Sequence, residues 1–184
     1  MSDYFERARE VYDELAERPP PELEQLVIAI RNSWEEGGKV ISFGNGGSAA
    51  DSLHFTAELV ARFGDEPIHR PAISLNANPS TVTATANDWS YEEVFSRQLR
   101  AHARAEDVVL GITTSGNSTN VIRGLSRAKH IGATTFGLTG SEPGRLEGIG
   151  TTIIRVPSDE TPHVQQAHIA CLHYVCHRID QELN

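Results

Sequence analysis

Residues 39–59, KVISFGNGGSAADSLHFTAEL, join a short β-forming run to a glycine-rich loop and then to a run with helical spacing. The run 39–43 is typical of a strand, and the three glycines within 44–47 permit a tight turn and a close approach of the backbone to a ligand. A helix that begins after such a loop presents backbone N–H groups that lack intrahelical partners and bind anions. This stretch therefore predicts a strand, a loop and a helix, with an anion site at the loop.

The same pattern recurs along the chain, because four more β-rich runs each lead through small residues toward a helix. The five runs are 39–43, 72–75, 107–112, 133–138 and 151–156. Strands that alternate with helical crossovers form a parallel sheet, so we predict an α/β fold with a five-stranded parallel sheet flanked by helices. Ligands bind beyond the carboxyl ends of such strands, where the loops GNGGS, TTSGNST and TGSEPG fall.

Helical spacing also marks both ends of the chain. Apolar residues recur every three or four positions in 3–17 and in 22–36. Three prolines at 19–21 separate these two runs, which predicts an N-terminal helical hairpin. A long final helix is predicted for 161–183.

We interpret residues 1–184 as a single domain, because a chain of this length buries about two-thirds of its unfolded surface in one core. The hairpin, 1–37, is suited to oligomerisation, and 38–184 supplies the sheet and the final helix. The net charge of −9 argues against binding to a nucleic-acid backbone, which requires a basic face. A small anion can still bind, because binding of a small anion depends on nearby N–H donors and not on the net charge of the chain.

The cellular location is predicted from the cysteines and from the N-terminus. Cys171 and Cys176 are five residues apart in a predicted helix and face different directions, so we expect no disulfide between them and a reducing compartment. The charged segment 1–10 lacks the apolar core of a signal peptide, and no apolar run approaches about 18 residues. We therefore expect a cytoplasmic protein without a membrane partner.

The loop TTSGNST, 113–119, places several hydroxyl groups around Gly116 between a strand and a helix. Hydroxyls and amides without a lysine suit a phosphate monoester, and the absence of G-K-[ST] excludes a P-loop nucleotide site. The alternative is that Ser118 or Thr119 only caps the helix predicted for 120–130.

A dinucleotide site is an alternative for the glycine-rich loop. GNGGSA, 44–49, satisfies G-x-G-x-x-A, the fingerprint of nicotinamide cofactor binding. That fingerprint expects an acidic residue near the end of the second strand, and AISLNAN, 72–78, has none. The sequence therefore favours a phosphate site over a dinucleotide.

The helix after this loop carries a candidate catalytic pair. If residues 48–63 are helical, His54, Glu58 and Arg62 share one face. Such a set is either a solvated ion-pair stripe or part of a site. Its position just after a candidate phosphate loop favours the site.

The final helix has four histidines within fifteen residues, an unusual density. Gln165 and His173 are eight positions apart, about two turns, and so point in one direction. We interpret His163, His168 and His177 as part of an exposed or oligomer-facing surface.

Five motifs occur in an order that resembles one known family: GNGGS, H-x-x-x-E, AND at 86–88, TSGNS, and Q-x-x-H-x-x-x-x-H near the end. The sequence is similar over nearly its whole length to the phosphoheptose isomerases, which have the sugar isomerase (SIS) fold. The resemblance implies a single SIS domain and a homotetramer with sites shared between subunits. It also implies isomerisation of sedoheptulose 7-phosphate to D-glycero-D-manno-heptose 7-phosphate.

The functional positions of this family carry over residue by residue. The resemblance implies that Glu58 and His173 are the acid/base pair. It implies one zinc ion per subunit, with four ligands: His54, Glu58, Gln165 and His173. It implies contacts with the sugar phosphate from Asn45, Gly46, Gly47, Ser48, Glu58, Asn87, Asp88, Thr113, Thr114, Ser115, Ser118 and Gln165.

Two positions depart from the family pattern and bear on local geometry or on the sugar accepted. Pro162 stands where an acidic residue is frequent, and Gln166 stands where a glutamate is usual. The main alternative is a non-catalytic SIS protein that binds the replication initiator or senses sugar phosphates. A relative with the first role has lost the glutamate of H-x-x-x-E, whereas Glu58 is present here. The sequence leaves open the C2 epimer formed and the pathway served, whether lipopolysaccharide, another glycan or a secondary metabolite.

Overall fold

A computed structural model of the chain describes residues 2–64 and 70–183. It contains a sheet of five parallel strands in the order β2-β1-β3-β4-β5. The strands are β1 (Val40–Gly44), β2 (Ala72–Ser74), β3 (Val108–Ile112), β4 (Thr134–Thr139) and β5 (Thr152–Arg155). The predicted α/β fold with a five-stranded parallel sheet is therefore confirmed.

Helices cover both faces of this sheet. In the described part of the chain they are α1 (Ser2–Glu17), α2 (Glu22–Glu35), α3 (Gly47–Val60), α4 (Pro79–Asp88), α5 (Val94–His102), α6 (Thr119–Ile131) and α7 (Thr161–Leu183). Short 3₁₀ turns occupy Tyr91–Glu93 and Gly144–Ile149. The predicted N-terminal helices, α1 and α2, are present. One helix, without bounds, was expected after the run 72–75, and the structure has two there, α4 and α5, whereas the run 133–138 leads only to the 3₁₀ turn Gly144–Ile149.

The start of α4 has a recognisable signal, but its interior does not. Asn78 is the N-cap, its side chain accepts a hydrogen bond of 3.1 Å from Thr81 N, and Pro79 follows at the first helical position. The interior, TVTATAND, contains three threonines, which have low helix propensity. The intrinsic helix propensity of this segment is therefore weak, and its contacts with α5 and with the turn 91–93 stabilise the helix.

The sheet is buried on both faces, so its central strands are continuous apolar runs instead of alternating ones. Every residue of β1 and β3 is buried. On one face, Leu26 of α2, Phe55 of α3 and Val175 of α7 belong to one apolar cluster. On the other face, the rings of Phe43 and Phe95 stack with their centroids 4.6 Å apart. The two clusters pack the helices onto both faces of the sheet.

The final helix, α7, packs against α2 and α3. Its buried residues include Cys171 and Cys176, which are free thiols, as predicted. Burial raises the pKa of the Cys171 thiol to about 12, so this group is not a nucleophile at neutral pH. Among the helices that the structure describes, α7 included, none has the length and apolar content needed to cross a membrane.

The register of the strands places the candidate loops next to one another. Gly44, at the end of β1, pairs with Ile112, at the end of β3. Ile112 in turn pairs with Leu138 near the end of β4. The loops that follow β1, β3 and β4 therefore leave the sheet at one level and from adjacent positions.

Candidate functional site

Two helices bring the predicted catalytic residues together. His54 and Glu58 of α3 lie next to His173 of α7, with His54 Nε2 3.0 Å from Glu58 Oε1 and 3.4 Å from His173 Nε2. The first contact follows from the four-residue spacing on α3, whereas the second is tertiary. The side chains of His54 and Glu58 are 47% and 20% exposed, so a ligand can reach the group from solvent.

This group fits a divalent cation. His54, Glu58 and His173 each offer one ligand atom, and these atoms lie within 4.8 Å of one another. Ligand atoms about 2.0–2.2 Å from a tetrahedral zinc lie about 3.3–3.6 Å from each other. The separation of His54 Nε2 from His173 Nε2 lies in this range, and that from Glu58 Oε1 is slightly shorter. His54 Nε2 has one in-plane position for a proton or a lone pair, so it cannot serve Glu58 and His173 equally. A cation between the three residues would accept a lone pair from each.

Gln165, the fourth predicted ligand, lies near the start of α7, beside the start of α3 and away from His54 and His173. A Cβ placed on Gly47 would overlap the amide group of Gln165, so this amide packs directly on the glycine-rich loop. Because Gln165 lies beside Gly47 and His173 beside His54, α7 and α3 run in the same direction. Residues eight apart on a helix are about 12 Å apart along its axis. The role of Gln165 as a metal ligand stays a prediction, and its contact with the loop is consistent with a role in substrate binding.

Arg62 does not share the face of His54 and Glu58. The prediction that 48–63 is helical is wrong at its end, because α3 stops at Val60 with Ala61 as its C-cap residue. Arg62 Nε instead donates to the carbonyl of Gly64 at 2.6 Å, within the turn after the helix.

The loop after β3 offers hydroxyl groups at the start of α6. Ser118 is the N-cap residue of α6, yet its side chain makes no capping hydrogen bond. Its Oγ lies 3.1 Å from Oγ1 of Thr113, which is buried. Ser115 is exposed and Thr114 is half-buried. The Ser118 side chain therefore does not cap the helix. The hydroxyl groups of this loop lie next to a helix N-terminus, which attracts anions, and can bind a phosphate there.

The loop after β4 supports this serine loop. Gly116 has a φ of +65°, and a Cβ there would overlap the carbonyl of Pro143, so both the backbone conformation and the space require glycine. Arg145 N donates to Asn117 Oδ1 at 3.0 Å, and Leu146 N donates to the carbonyl of Gly116 at 3.1 Å. The third predicted loop therefore acts as a support for the second.

The turn from β1 into α3 is fixed by Gly46 and Asn76. Gly46 has a φ of +55°, a conformation that glycine adopts readily. Gly44 N donates to Asn76 Oδ1 at 3.2 Å, and Asn76 Nδ2 donates to the carbonyl of Gly44 at 3.0 Å. Ser48, a predicted substrate contact, is only 3% exposed, and its N–H closes the turn on the carbonyl of Asn45.

Asn45 itself is held by Asn120 and Tyr91, two residues that were not predicted to belong to the site. The side-chain amides of Asn45 and Asn120 exchange two hydrogen bonds of 2.9 Å each. Tyr91 Oη donates to Asn45 Oδ1 at 2.9 Å. Asn120 could have indicated this network in the sequence, because an asparagine side chain near the start of a helix often forms hydrogen bonds with the neighbouring backbone or loop.

Asn87 and Asp88 lie at the exposed C-terminal end of α4. Asn87 Nδ2 donates to Asp88 Oδ1 at 2.8 Å. Tyr91, three residues further on, reaches Asn45, so this end of α4 borders the glycine-rich loop. The structure therefore places these two predicted substrate contacts at the rim of the site.

Asp51, one turn before His54, is a further site residue that was not predicted. Its Oδ2 is buried and has no hydrogen-bond partner among the described residues. Burial raises the pKa of Asp51 to about 6, and the charge of His54 opposes this shift. When ionised, this carboxyl group adds negative potential next to the group of His54, Glu58 and His173.

The interpretation of His163 and His168 as exposed or oligomer-facing is wrong. The two residues are 2% and 0% exposed, because α1 covers the first and α7 lies against β4 at the second. Burial lowers the pKa of His168 to about 4, so its ring is neutral near pH 7. His177 is exposed, as expected.

The two departures from the family pattern both lie in the first turns of α7. Pro162 occupies the first turn, where proline is tolerated. Gln166 Nε2 donates to Tyr4 Oη at 3.2 Å, and the carbonyl of Gln166 accepts from Tyr12 Oη at 3.1 Å. Gln166 therefore ties α7 to the first helix.

Comparison with known proteins gives a consistent picture. A family model described as the SIS domain matches residues 3–140. The probable phosphoheptose isomerase of Thermoplasma volcanium is 45% identical over 183 residues, which are 98% of this chain and 90% of the relative. The phosphoheptose isomerase of Syntrophotalea carbinolica is 42% identical over 183 residues, which are 100% of this chain and 93% of that protein.

A solved structure extends the likeness to three dimensions. The phosphoheptose isomerase of Francisella tularensis superposes with a TM-score of 0.92 at 34% identity, covering 98% of this chain and 96% of that one. The resemblance read from the five motifs is therefore confirmed. The chain belongs to the SIS domain family and, within it, to the phosphoheptose isomerases.

Proposed function

We propose that this protein is an aldose–ketose isomerase that converts sedoheptulose 7-phosphate to D-glycero-D-manno-heptose 7-phosphate through an enediol. The observation that carries the proposal is the group of His54, Glu58 and His173, in a chain of the phosphoheptose isomerase family. The alternative of a non-catalytic SIS protein gains no support, because Glu58 is present and in contact with His54.

The residues of this group suit the chemistry. Moving a carbonyl between C2 and C1 requires a base for the proton on C1, an acid for the oxygen, and stabilisation of the enediolate. We assign the base to Glu58 and the matching acid to His173. Glu58 Oε1 faces His54 Nε2, and the carboxylate has a second oxygen on which to accept the proton.

We propose one zinc ion per subunit, held by His54, Glu58 and His173, with Gln165 as the fourth ligand once its side chain turns from Gly47 toward His173. Imidazole nitrogens and a carboxylate oxygen form a donor set that zinc accepts. A zinc ion held by these residues would supply a Lewis acid that polarises the C1 or C2 oxygen and stabilises negative charge on it. The separations of 3.0 and 3.4 Å around His54 Nε2 support this proposal.

We propose that the phosphate of the substrate binds the loop after β3 and that the sugar extends from it toward His54. Binding energy at the phosphate then positions the reacting carbons, which are at the other end of the molecule. The residues proposed to bind the substrate, besides Glu58, are Asn45, Gly46, Gly47, Ser48, Asn87, Asp88, Thr113, Thr114, Ser115, Ser118 and Gln165.

Incubation of the purified protein with sedoheptulose 7-phosphate in D₂O, followed by NMR of the products, tests the proposed function. An aldoheptose 7-phosphate that carries deuterium at C2 is expected, and the spectrum identifies the C2 epimer. Binding of the sugar phosphate without turnover would favour the regulatory alternative.

Loss of a single hydroxyl from the serine loop is expected to weaken substrate binding. Ser115→Ala and Ser118→Ala each remove about one hydrogen bond to a charged group, roughly 1.5–3 kcal/mol, so KM rises about 10-fold or more. The matched control is Ser126→Ala, which removes an exposed hydroxyl on the same helix as Ser118. An unchanged KM in both loop variants would leave the loop with a structural role only.

We propose a homotetramer that assembles through α1 and α2, with sites shared between subunits. These helices expose large apolar side chains: Phe5 is 69% exposed, Tyr12 44% and Ile28 54%. A monomer leaves this surface in water, whereas a symmetric assembly buries it. Light scattering is expected to give about four times the chain mass of 20.1 kDa, and Phe5→Glu is expected to lower it. A monomer at micromolar concentration would contradict the proposal.

We propose a cytoplasmic location for the enzyme. The free thiols of Cys171 and Cys176 support it, because a reducing compartment keeps thiols in this state. With a net charge of −9, no nucleic-acid partner is proposed.

A further inference from the structure

The hydrogen bonds around Asn45 have a fixed direction. Val121 N lies 2.9 Å from Asn120 Oδ1 at the start of α6. A backbone N–H can only donate, so this terminal atom of Asn120 is the oxygen and the other is the nitrogen. Asn120 Nδ2 therefore donates to Asn45 Oδ1, and Asn45 Nδ2 donates to Asn120 Oδ1, each at 2.9 Å.

Tyr91 completes the set of partners of Asn45. Its hydroxyl donates to Asn45 Oδ1 at 2.9 Å, the same oxygen that accepts from Asn120. A side-chain amide oxygen has two lone pairs, and both now have donors. The nitrogen has two N–H groups, of which Asn120 uses one. Among the hydrogen bonds of the described residues, the remaining capacity of the Asn45 side chain is one N–H donor.

The burial of Asn120 makes this arrangement rigid. Asn120 is 4% exposed, and a buried amide that loses its partners pays the cost of desolvation without compensation. Its partners come from the loop after β1 and from the first turn of α6, while Tyr91 follows α4. The network therefore links three segments that border the site.

We infer that Asn120, assisted by Tyr91, is a positioning residue that fixes the side chain of Asn45 as a hydrogen-bond donor toward an acceptor oxygen of the substrate. The inference rests on the proposed function, in which Asn45 contacts the sugar phosphate. This orientation makes Asn45 selective for hydrogen-bond acceptors. A substrate oxygen next to Asn45 Nδ2 accepts a hydrogen bond, whereas a donor group in the same place would face an N–H that cannot accept one.

Kinetics of single and double variants test this inference. Asn45→Ala and Asn120→Ala are each expected to lower kcat/KM for sedoheptulose 7-phosphate about 10-fold, and Tyr91→Phe about threefold. The double variant of Asn45 and Asn120 is expected to lose no more than the larger single loss, because Asn120 acts through Asn45. Losses that multiply in the double variant would overturn the inference.

Two controls separate positioning from general damage. Gln98→Ala removes another buried amide, one that donates to the carbonyls of Leu75 and Val94. Tyr174→Phe removes another tyrosine hydroxyl, one that donates to the carboxylate of Glu24 away from the site. Both controls are expected to leave KM unchanged even where the melting temperature falls. If KM rises in proportion to the loss of stability in Asn120→Ala, in Tyr91→Phe and in both controls, the effect of Asn120 is structural only.

A second readout does not depend on turnover. In nitrogen-15 NMR of the wild-type protein, the side-chain NH₂ of Asn45 is expected to show one hydrogen protected from exchange with solvent and one unprotected. Asn120→Ala is expected to abolish the protection, and Tyr91→Phe to shift the resonance. Unchanged Asn45 amide resonances in both variants would overturn the inference. Lack of isomerisation by the wild type would instead count against the proposed function alone.

Discussion

Replacement of Glu58 by glutamine is expected to lower kcat for sedoheptulose 7-phosphate by a factor of about 100 or more. Glutamine keeps the length of the side chain and its reach to His54 Nε2, which lies 3.0 Å from the carboxylate. The amide does not accept the C1 proton, so the effect falls on the chemical step and KM changes less. Steady-state kinetics, together with the exchange of the C1 proton for deuterium, measure both effects.

The two roles proposed for Glu58, base and metal ligand, are separated by measuring zinc in the same variant. A variant that keeps its zinc but loses turnover identifies the base, whereas parallel loss of both identifies the ligand. Glu24→Gln is the matched control, because Glu24 is another ion-paired glutamate, bonded to Arg178 and Tyr174 at the contact of α2 with α7. Its kcat is expected to stay near that of the wild type. A normal kcat in Glu58→Gln would remove this residue from the mechanism.

The sequence was most informative where structure is local. Strand positions could be predicted because buried parallel strands are apolar runs bounded by small residues. The contact of His54 with Glu58 could be predicted because four residues are about one helical turn. The end of α3 could not, since no proline or glycine follows Val60 before Gly64.

Tertiary contacts explain the features that the sequence did not show. The approach of His173 to His54 depends on how α7 packs beside α3, and helical spacing within either segment does not encode that packing. The pairing of Asn45 with Asn120 joins residues 75 positions apart. The prediction for His168 is wrong because a histidine in a helix with many polar residues gives no sign that its ring is fully buried.

The buried and the open histidines also differ in what they can do. His168 is enclosed and neutral, so it has no route to a substrate. His54 is largely exposed, and it makes contacts with Glu58 and His173 at one ring nitrogen. Exposure and converging donor atoms, more than the number of histidines, mark the functional group.

Removal of metal is expected to abolish most of the activity, and added zinc to restore it. The reason is that two histidines and a glutamate converge on one point, and a cation there stabilises the negative charge of the enediolate. Treatment with a chelator, followed by titration with zinc, measures the loss and the recovery. Elemental analysis before and after each step gives the zinc content per chain independently of activity.

His54→Ala is expected to prevent that recovery, because His54 contacts both Glu58 and His173. Loss of a partner that only orients a ligand already costs about 10–100-fold in metal affinity, so loss of the ligand itself is expected to cost more. His177→Ala, which removes an exposed histidine of α7, is the matched control and is expected to bind zinc normally. Full activity in protein shown to be free of metal would contradict the prediction. In that case Glu58, His173 and His54 would work as an acid/base and hydrogen-bonding group without zinc.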